Sequence, residues 1–336
     1  MTKKSPLLLA ILLLALAGCA APAPPAMVAE QPPPGPAAPQ ATTTPDAAQT
    51  QPFRIIGYFS YGDVVAAVPF DKLTHINYAF LIPNEDGTFQ PLINSWKLHD
   101  LVEQAHAHGV RVLISVGGWG WDAQFEALAA SAESRAVFVR EVMSIVAEYN
   151  LDGVDMDWEY PGPEPASAEN NLLLMRALYH ELQPQGKLLT AAVVAYGPTG
   201  DGVLDEVFEL VDFLNLMAYD GPQHATLEYA VQSLDYWSGR GLPPEKLVLG
   251  VPFYSRPGGI SYRRLVEADP AAVQRDETDF FGQVNRYNGI PTMRAKTRLA
   301  MERASGIMIW TLAMDTFDDE TSLLTAIYQT ANPAQP

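Results

Sequence analysis

The chain has 336 residues, of which 48% are hydrophobic and 18% charged, so it can bury a large core as one large α/β domain or two smaller ones. Its formal net charge of −18 argues against nucleic acid and anionic membrane surfaces as ligands, because both require basic patches. The only cysteine is Cys19 and the six histidines are scattered, so we expect no disulfide in the folded domain and no metal centre.

The first 18 residues have the pattern of a secretory signal. Lys3 and Lys4 precede an apolar run over residues 7–17, which is too short to span a bilayer as a helix. The run ends in Leu-Ala-Gly-Cys, which resembles a bacterial lipoprotein processing site with Cys19 as the lipidated residue. An ordinary signal peptide followed by an incidental thiol is the alternative. Lipid on Cys19 would anchor the protein at the bacterial cell envelope without a spanning helix.

Residues 19–52 are predicted to form a disordered tether. From residue 20 to residue 52 the chain is mostly Ala, Pro, Thr and Gln, with almost no large apolar side chain to bury. We therefore expect a signal over residues 1–18, a lipidated Cys19 with its tether over 19–52, and a folded domain over 53–336.

The folded part alternates short β-rich runs with amphipathic helical patterns, as a parallel βα barrel requires. Eight such units in about 280 residues predict a TIM barrel. A doubly wound open sheet is the alternative, but no glycine-rich phosphate loop follows the first strand. The predicted strands are residues 54–59, 75–81, 111–116, 153–158, 188–195, 213–218, 247–252 and 306–312. The predicted apolar helix faces are Leu98, Leu101, Val102 and Ala105; Phe138, Val142, Met143 and Val146; and Leu227, Ala230, Val231 and Leu234.

Acidic residues alternate with apolar residues in the fourth predicted strand. Because a strand has period two, Asp155, Asp157 and Glu159 would point to one face, about 6.5 to 7 Å apart at Cα. Like charges lined up in this way destabilise a strand unless one carboxyl group holds a proton, and the charges of its neighbours raise its affinity for that proton. A solvated acidic run is the alternative, but such runs rarely alternate with apolar residues. The pattern indicates a general acid with ionised neighbours.

The acidic residues of the fourth predicted strand resemble a sequence signature of a known family. The stretch resembles glycoside hydrolase family 18, whose D-x-x-D-x-D-x-E signature is matched in order and spacing by Asp152, Asp155, Asp157 and Glu159. The continuation Trp-Glu-Tyr-Pro, which contains Tyr160, is similar to its chitinase branch. The similarity extends from residue 53 to about residue 330.

The longest connection between strands is the one over residues 254–305, with helical stretches near 263–267 and 292–303. Many members of the family carry a small extra α/β domain at this place. The connection is too short for one, so the resemblance implies a (β/α)8 barrel without a sizeable inserted subdomain between strands seven and eight.

Barrel enzymes place their chemistry at the carboxyl ends of the strands. The third strand ends with Ser115, Gly117 and Gly118, similar to the family's S-x-G-G motif, whose glycines let the backbone turn tightly beside the catalytic strand. Trp119 and Trp121 follow in a loop, where flat rings can stack on sugar faces or close over the barrel rim.

The sixth strand ends with Met217, Tyr219 and Asp220, similar to the family's M-x-Y-D pattern. The resemblance implies that Tyr219 donates its hydroxyl to the acetamido group of the substrate and that Asp220 belongs to the same polar site. A simple turn with a hydroxyl partner is the structural alternative.

Aromatic residues are expected to line the pocket. Trp310 falls at the position of the family's floor tryptophan, although a buried core tryptophan is the alternative. Tyr58 and Phe80, on the first two strands, would line the same pocket.

Two further candidates for substrate binding, Tyr254 and Arg256, follow the seventh strand. Ser255 stands between them where relatives usually have Gly, and this departure leaves their roles open.

The resemblance also implies a mechanism in which the substrate supplies the nucleophile. Glu159 protonates the leaving oxygen, and the 2-acetamido carbonyl of the sugar attacks the anomeric carbon. Asp157 and Tyr219 stabilise the developing oxazolinium, and Asp155 shares a proton with Asp157. Asp152 holds the strand or its loop in place. Relatives carry cis peptide bonds beside the site, which match Ala79–Phe80, Glu159–Tyr160 and Trp310–Thr311 here.

We therefore expect a cofactor-free, retaining and endo-acting chitinase, a monomer that acts on β-1,4-linked N-acetylglucosamine polymers and is anchored through Cys19. A hydrolase of peptidoglycan or N-glycans on the same scaffold is the alternative among enzymes. A sugar-binding protein without hydrolytic activity is the alternative from another class.

Overall fold

The computed structural model describes residues 52–60 and 62–333. The predicted signal, the lipidation site at Cys19 and the tether up to residue 51 lie outside the described residues. In the described ranges, no helix is both long enough and apolar enough to cross a bilayer.

The strands of the described residues are β1 Arg54–Ser60, β2 His75–Leu81, β3 Arg111–Gly117, β4 Gly153–Asp157, β5 Leu188–Val194, β6 Phe213–Met217, β7 Leu247–Pro252, β8 Glu277–Phe280, β9 Gln283–Arg286 and β10 Gly306–Trp310. Eight of them are parallel and close into a barrel in the order β1-β10-β7-β6-β5-β4-β3-β2, while β8 and β9 form a separate antiparallel pair. The predicted TIM barrel is confirmed, and each predicted strand matches a barrel strand to within two residues at either end.

The barrel strands are apolar along most of their length because both of their faces are covered. Every residue of β4 and of β7 is buried. The outer face of the barrel packs against the helices in one continuous core, and a second, smaller core fills the barrel interior below the catalytic end. The acidic residues of β4 therefore lie in a largely apolar interior.

The helices that cover the barrel are α1 Ser95–Ala107, α2 Asp122–Ala130, α3 Ala132–Glu148, α4 Pro165–Leu182, α5 Leu227–Gly239, α6 Tyr262–Ala268, α7 Ile290–Arg303 and α8 Leu323–Ala331. The predicted faces of α1 and α3 are buried, with Met143 only partly so. Leu227 was predicted on the buried face of α5 but is 40% exposed. It is the first residue of that helix after the N-cap Thr226, and the buried face is centred on Tyr229, Ser233 and Trp237.

The connection between β7 and β10 contains α6, the β8–β9 hairpin and α7, with no larger inserted subdomain in the described residues. The two predicted helical stretches are confirmed. The hairpin was not predicted, because its strands have four residues each and mostly exposed side chains, so no apolar alternation marks them. The Ala79–Phe80, Glu159–Tyr160 and Trp310–Thr311 peptide bonds are cis, as the resemblance implied.

Candidate active site

A cleft of about 940 Å³ opens at the carboxyl ends of the barrel strands. Its volume and its aromatic lining are typical of a site for a small molecule or a segment of a polymer. The predicted site residues that line it are Tyr58, Phe80, Gly117, Gly118, Trp119, Asp157, Glu159, Tyr160, Met217, Tyr219, Asp220, Arg256 and Trp310. Four predicted residues, Ser115, Asp152, Asp155 and Tyr254, lie outside the lining.

Asp155 is fully buried inside the barrel, below the cleft. Its Oδ2 accepts hydrogen bonds from the hydroxyls of Tyr58, at 2.6 Å, and Ser115, at 2.9 Å. Its Oδ1 accepts from the Thr190 hydroxyl at 2.6 Å and from the Asn215 amide at 3.1 Å. Burial raises the pKa of Asp155, while these four bonds lower it. The donors stabilise the ionised carboxylate, because only an oxygen without a proton can accept from all of them.

One expectation concerned a proton shared between the carboxyl groups of Asp155 and Asp157. Asp155 was predicted to share a proton with Asp157, but in the described residues no hydrogen bond joins the two carboxyl groups. Donors from four other strands of the barrel occupy both oxygens of Asp155. The coupling between the two carboxyl groups is therefore electrostatic: the charge on Asp155 raises the proton affinity of Asp157.

Asp157 is almost completely buried, at 3% exposure, and its Oδ1 has no hydrogen-bond partner among the described residues. Burial, followed by the charges of Glu159 and Asp155, raises the pKa of Asp157 well above its usual range. A neutral carboxylic acid is the form that such a site tolerates best. Asp157 therefore holds its proton to a higher pH than an exposed aspartate does.

Glu159 lies two residues after the end of β4 and lines the same cleft. Burial raises the pKa of Glu159 to about 7, with a further increase from the charge of Asp220 and an opposing effect of hydrogen bonding with Tyr160. A carboxyl group with this pKa can give up a proton and take it back near neutral pH, as a general acid and base must.

The backbone beside this strand requires glycine at the end of β3. Gly117 has a φ of +112°, and a Cβ added there would lie 2.4 Å from the carbonyl oxygen of Asp157. Gly118 donates its N–H to the same carbonyl at 2.8 Å. The glycine pair therefore lets two strand ends approach closely and fixes the backbone of Asp157.

Gly117→Ala is expected to lower the free energy of unfolding by about 2 to 4 kcal/mol, because the left-handed backbone and the close contact with Asp157 both oppose a methyl group. Gly109→Ala is the matched control, since Gly109 has a φ of +72° but nothing within 4 Å of its added Cβ. We expect it to cost about 1 to 2 kcal/mol. Urea unfolding of both variants measures the difference, and equal losses would show that the contact with Asp157 is not limiting.

Tyr219 follows β6 and is 7% exposed at the base of the cleft. Among the described residues, its hydroxyl donates only to the sulfur of Met308, at 3.8 Å, which is a weak acceptor. Burial raises the pKa of Tyr219 well above its usual range. The hydroxyl therefore stays protonated and can donate to a stronger acceptor in the cleft.

Aromatic rings form the floor and one edge of the cleft. The Trp310 ring packs edge-on against Tyr58, with 5.3 Å between centroids, and stacks with Phe80 at 5.6 Å. Trp119 lies at the opening, 6.5 Å from the Tyr160 ring, and is 77% exposed. A cleft with an aromatic floor and an exposed aromatic edge is suited to the apolar faces of sugars.

Asp220 and Arg256 form an ion pair at the opposite edge, with 2.7 Å between Nε and Oδ1. His224 holds this edge in place, because its Nδ1 accepts from the Asp220 backbone N–H and its Nε2 lies 3.1 Å from the Tyr254 carbonyl oxygen. Burial lowers the pKa of His224 to about 4, so its ring is neutral and Nε2 donates. Tyr254 was expected to contact substrate. It lies instead behind the wall, with its ring packed against His224 and Arg256.

Asp152 lies at the start of β4, away from the cleft. Its Oδ2 accepts the Val112 backbone N–H at 2.7 Å and lies 2.8 Å from His106 Nε2. These contacts tie the chain before β4 to β3 and to α1.

Sequence reasoning missed several residues that the structure brings to the site. Thr190 and Asn215 hold Asp155, and each is the one polar residue in an otherwise apolar strand, a signal that could have identified them. His224 gave no such signal. The cleft is also lined by Trp121, which the sequence placed in this loop, and by Val194, Gly221, Tyr229, Pro257 and Gly258. Within residues 52–60 and 62–333, no group of three or more His, Cys, Asp or Glu is arranged to hold a metal ion.

The sequence of this chain is similar to those of known proteins. The sequence is 29% identical to Probable chitinase 2 of Drosophila melanogaster over 64% of this chain and 58% of that protein. It is 29% identical to Chitinase 1 of Aphanocladium album over 57% of this chain and 56% of that protein. The chain thus spans a little more than half the length of these curated relatives.

Solved structures give a more complete match. A chitinase from the chitin utilization locus of Flavobacterium johnsoniae superposes with a TM-score of 0.73 at 29% identity, covering 84% of this chain and 95% of that one. A chitinase from Bacteroides thetaiotaomicron superposes with a TM-score of 0.75 at 25% identity, covering 83% and 96%. The sequence model of the glycosyl hydrolases family 18 matches residues 54–315, a range that contains the acidic row, the cleft and its aromatic floor. The chain belongs to glycosyl hydrolases family 18.

Proposed function

We propose that this protein hydrolyses β-1,4-linked N-acetylglucosamine polymers, chitin and its oligosaccharides, with retention of configuration at the anomeric carbon. The observation that carries the proposal is the acidic sequence at the end of β4: Glu159, with a pKa of about 7, lies in an aromatic cleft next to the buried Asp157. Chitinases among the relatives, one of them from a chitin utilization locus, support chitin as the substrate.

Glu159 is the general acid of the first step. It donates its proton to the glycosidic oxygen as the bond from that oxygen to the anomeric carbon breaks. In the second step the Glu159 carboxylate takes a proton from the attacking water, which restores the acid. A group that exchanges a proton in both directions works best with a pKa near the operating pH, and burial provides this for Glu159.

The nucleophile comes from the substrate. A protein nucleophile would need a carboxylate about 5 to 5.5 Å from the acid and on the other side of the sugar. Asp157 ends β4 and Glu159 follows it by two residues, so both reach the cleft from the end of one strand, and Asp220 is engaged by Arg256. The carbonyl oxygen of the 2-acetamido group therefore attacks the anomeric carbon and forms a cyclic oxazolinium. Water then attacks that carbon and reopens the ring.

Asp157 and Tyr219 stabilise the cyclic intermediate. The Tyr219 hydroxyl, which donates to the weakly accepting sulfur of Met308, can donate instead to the acetamido oxygen and orient it for attack. The Asp155–Asp157 pair, with Asp155 ionised, carries negative charge that offsets the positive charge that develops on the oxazolinium. Because the site is buried, this charge acts without the screening of bulk water.

The test is the release of reducing ends from a panel of polymers: hexa-N-acetylchitohexaose, peptidoglycan, an N-glycosylated protein and a β-1,4-glucan. We expect turnover of the chitohexaose and none of the glucan, which has no acetamido group. Turnover of peptidoglycan or of the N-glycans alone would assign the chain to the alternative enzyme. Binding of chitohexaose without turnover would make it a sugar-binding protein.

The activity should fall as the pH rises above neutrality. Glu159 acts in its protonated form, and its pKa is about 7, so kcat/KM should fall as the pH rises from 7 and approach a tenfold loss per pH unit. Initial rates between pH 5 and 9 measure this, with tryptophan fluorescence to confirm that the protein stays folded. A rate that is constant up to pH 9 would contradict Glu159 as the acid.

We further propose export and lipid anchoring at the bacterial envelope, with the enzyme acting as a monomer. The support is the Leu-Ala-Gly-Cys sequence that ends in Cys19. Metabolic labelling with an alkyne fatty acid should mark the wild-type protein and not Cys19→Ala. Equal labelling of both would exclude anchoring at this residue.

A further inference from the structure

The β8–β9 hairpin is joined directly to one edge of the cleft. Arg256, which lines the cleft, and Arg286, the last residue of β9, exchange two backbone hydrogen bonds, of 2.9 and 2.8 Å. Next to them the hydroxyl of Ser255 donates to Asn285 Oδ1 at 3.0 Å, and both side chains are buried. Ser255, at the position where the family usually has glycine, therefore fastens the hairpin to the cleft.

The direction of this pairing places the tip of the hairpin beyond the rim. Residues 254–256 leave the carboxyl end of β7 on the side where the cleft opens, and the bridge between Arg256 and Arg286 is antiparallel. Residues that precede Arg286 therefore extend outward past Arg256. At about 3.4 Å per residue, the turn lies on the order of 15 Å along the hairpin from the cleft edge.

Phe281 occupies this turn and is 91% exposed. It has a φ of +53° and is followed by Gly282 with a φ of +80°, so both residues of the turn are left-handed. Such turns favour Asn-Gly, and a bulky side chain in this conformation is an outlier. The Phe281 ring contacts only the edge of Phe280, with 4.6 Å between centroids, among the ring contacts of the described residues. Packing does not account for a phenylalanine here, whereas a strained residue beside a functional site is typical of binding surfaces.

A second exposed aromatic residue lies across the barrel mouth. Trp119 follows β3, and β3 and β7 are four strands apart in the closed ring of eight, so they are diametrically opposite. Trp119 is 77% exposed and lines the cleft. An extended polymer that crosses the mouth from the Trp119 side leaves the cleft past Arg256, toward the hairpin.

We propose that Phe281 is an additional sugar-stacking position, which binds the polymer chain beyond the cleft on the β7 side. The hairpin thereby gives the substrate a contact at the edge where this chain has no larger inserted subdomain. The ligand is the apolar face of a pyranose ring in the same N-acetylglucosamine polymer, and the inference rests on the proposed function. It makes Phe281 a residue that determines preference for long substrates.

The experiment compares a long and a short substrate. For Phe281→Ala we expect the KM for hexa-N-acetylchitohexaose to rise about five- to tenfold, which is about 1 to 1.4 kcal/mol at 1.4 kcal/mol per factor of ten. The kcat/KM for a chromogenic N,N′-diacetylchitobioside, which ends within the cleft, should stay within twofold. Phe281→Trp should retain the affinity for the long substrate. Trp96→Ala, at a residue 67% exposed and outside the cleft lining, should change neither value.

A second variant separates the lost ring from lost folding. Asparagine tolerates the left-handed conformation, so Phe281→Asn should fold at least as well as the wild type and still lose affinity for the long substrate. An unchanged KM in either variant, or an equal loss on the short substrate, would overturn the proposal. Binding of the wild type to phosphatidylcholine vesicles that is lost in Phe281→Ala would assign the residue to a lipid surface instead. If wild-type protein turns over neither substrate, the proposed function itself fails.

Discussion

Glu159→Gln is expected to lower kcat by about 10² to 10⁴-fold, the range that general acid catalysis supplies, and to leave the Kd for chitooligosaccharide within a few-fold. The amide keeps the size and polarity of the side chain but has no proton to transfer. Burial raises the pKa of Glu159 to about 7, so the wild-type side chain carries that proton in a large fraction of molecules at neutral pH. Steady-state rates and calorimetric binding measure the two effects separately.

The matched control is Glu133→Gln, the same change at an exposed residue in the first turn of α3. It should leave both kcat and Kd unchanged. The assignment of Glu159 as the acid would be wrong if Glu159→Gln kept more than about one per cent of wild-type kcat while the control was unaffected.

Asp157→Asn should lose about 10²-fold or more in kcat, because the carboxyl group balances charge that develops only in the transition state. Its stability should not fall. The pKa of Asp157 in the folded protein is raised well above the unfolded value, chiefly by burial. Ionisation of Asp157 therefore destabilises the folded state as the pH rises above the unfolded pKa, and the neutral amide removes that effect.

The measurement is kcat together with Tm at pH 7. The account predicts a large loss of rate at an unchanged or higher Tm. A rate within tenfold of the wild type would show that the Asp157 carboxyl group does not act on the transition state. A Tm several degrees lower would show that its main role is structural.

The fold followed from the sequence because its pattern repeats: eight apolar runs alternate with amphipathic helices, and each barrel strand is buried on both faces. The β8–β9 hairpin could not be predicted in this way. It is held by backbone pairing and by the buried contact of Ser255 with Asn285, across 30 residues of sequence, rather than by an apolar face.

The site was predicted best where local spacing decides the geometry. Asp155, Asp157 and Glu159 are two residues apart, so the period of the predicted strand placed them on one face, although β4 itself ends at Asp157. In the described residues the carboxyl groups of Asp155 and Asp157 are not hydrogen-bonded to each other, because donors from four other strands occupy Asp155, and local spacing does not reveal those donors. Tyr254 was expected in the cleft because it follows a strand end, but the chain turns there and packs its ring on His224.

The source of the nucleophile is tested most directly by kcat on a series of chromogenic N,N′-diacylchitobiosides. Their acyl group changes from acetyl to mono-, di- and trifluoroacetyl. Fluorine withdraws electrons from the carbonyl oxygen and weakens it as a nucleophile, while the glycosidic bond and the leaving group stay the same. If the substrate's own acetamido oxygen attacks, kcat falls with each added fluorine. A kcat that does not vary across the series would contradict the account, because a protein carboxylate would not depend on that oxygen.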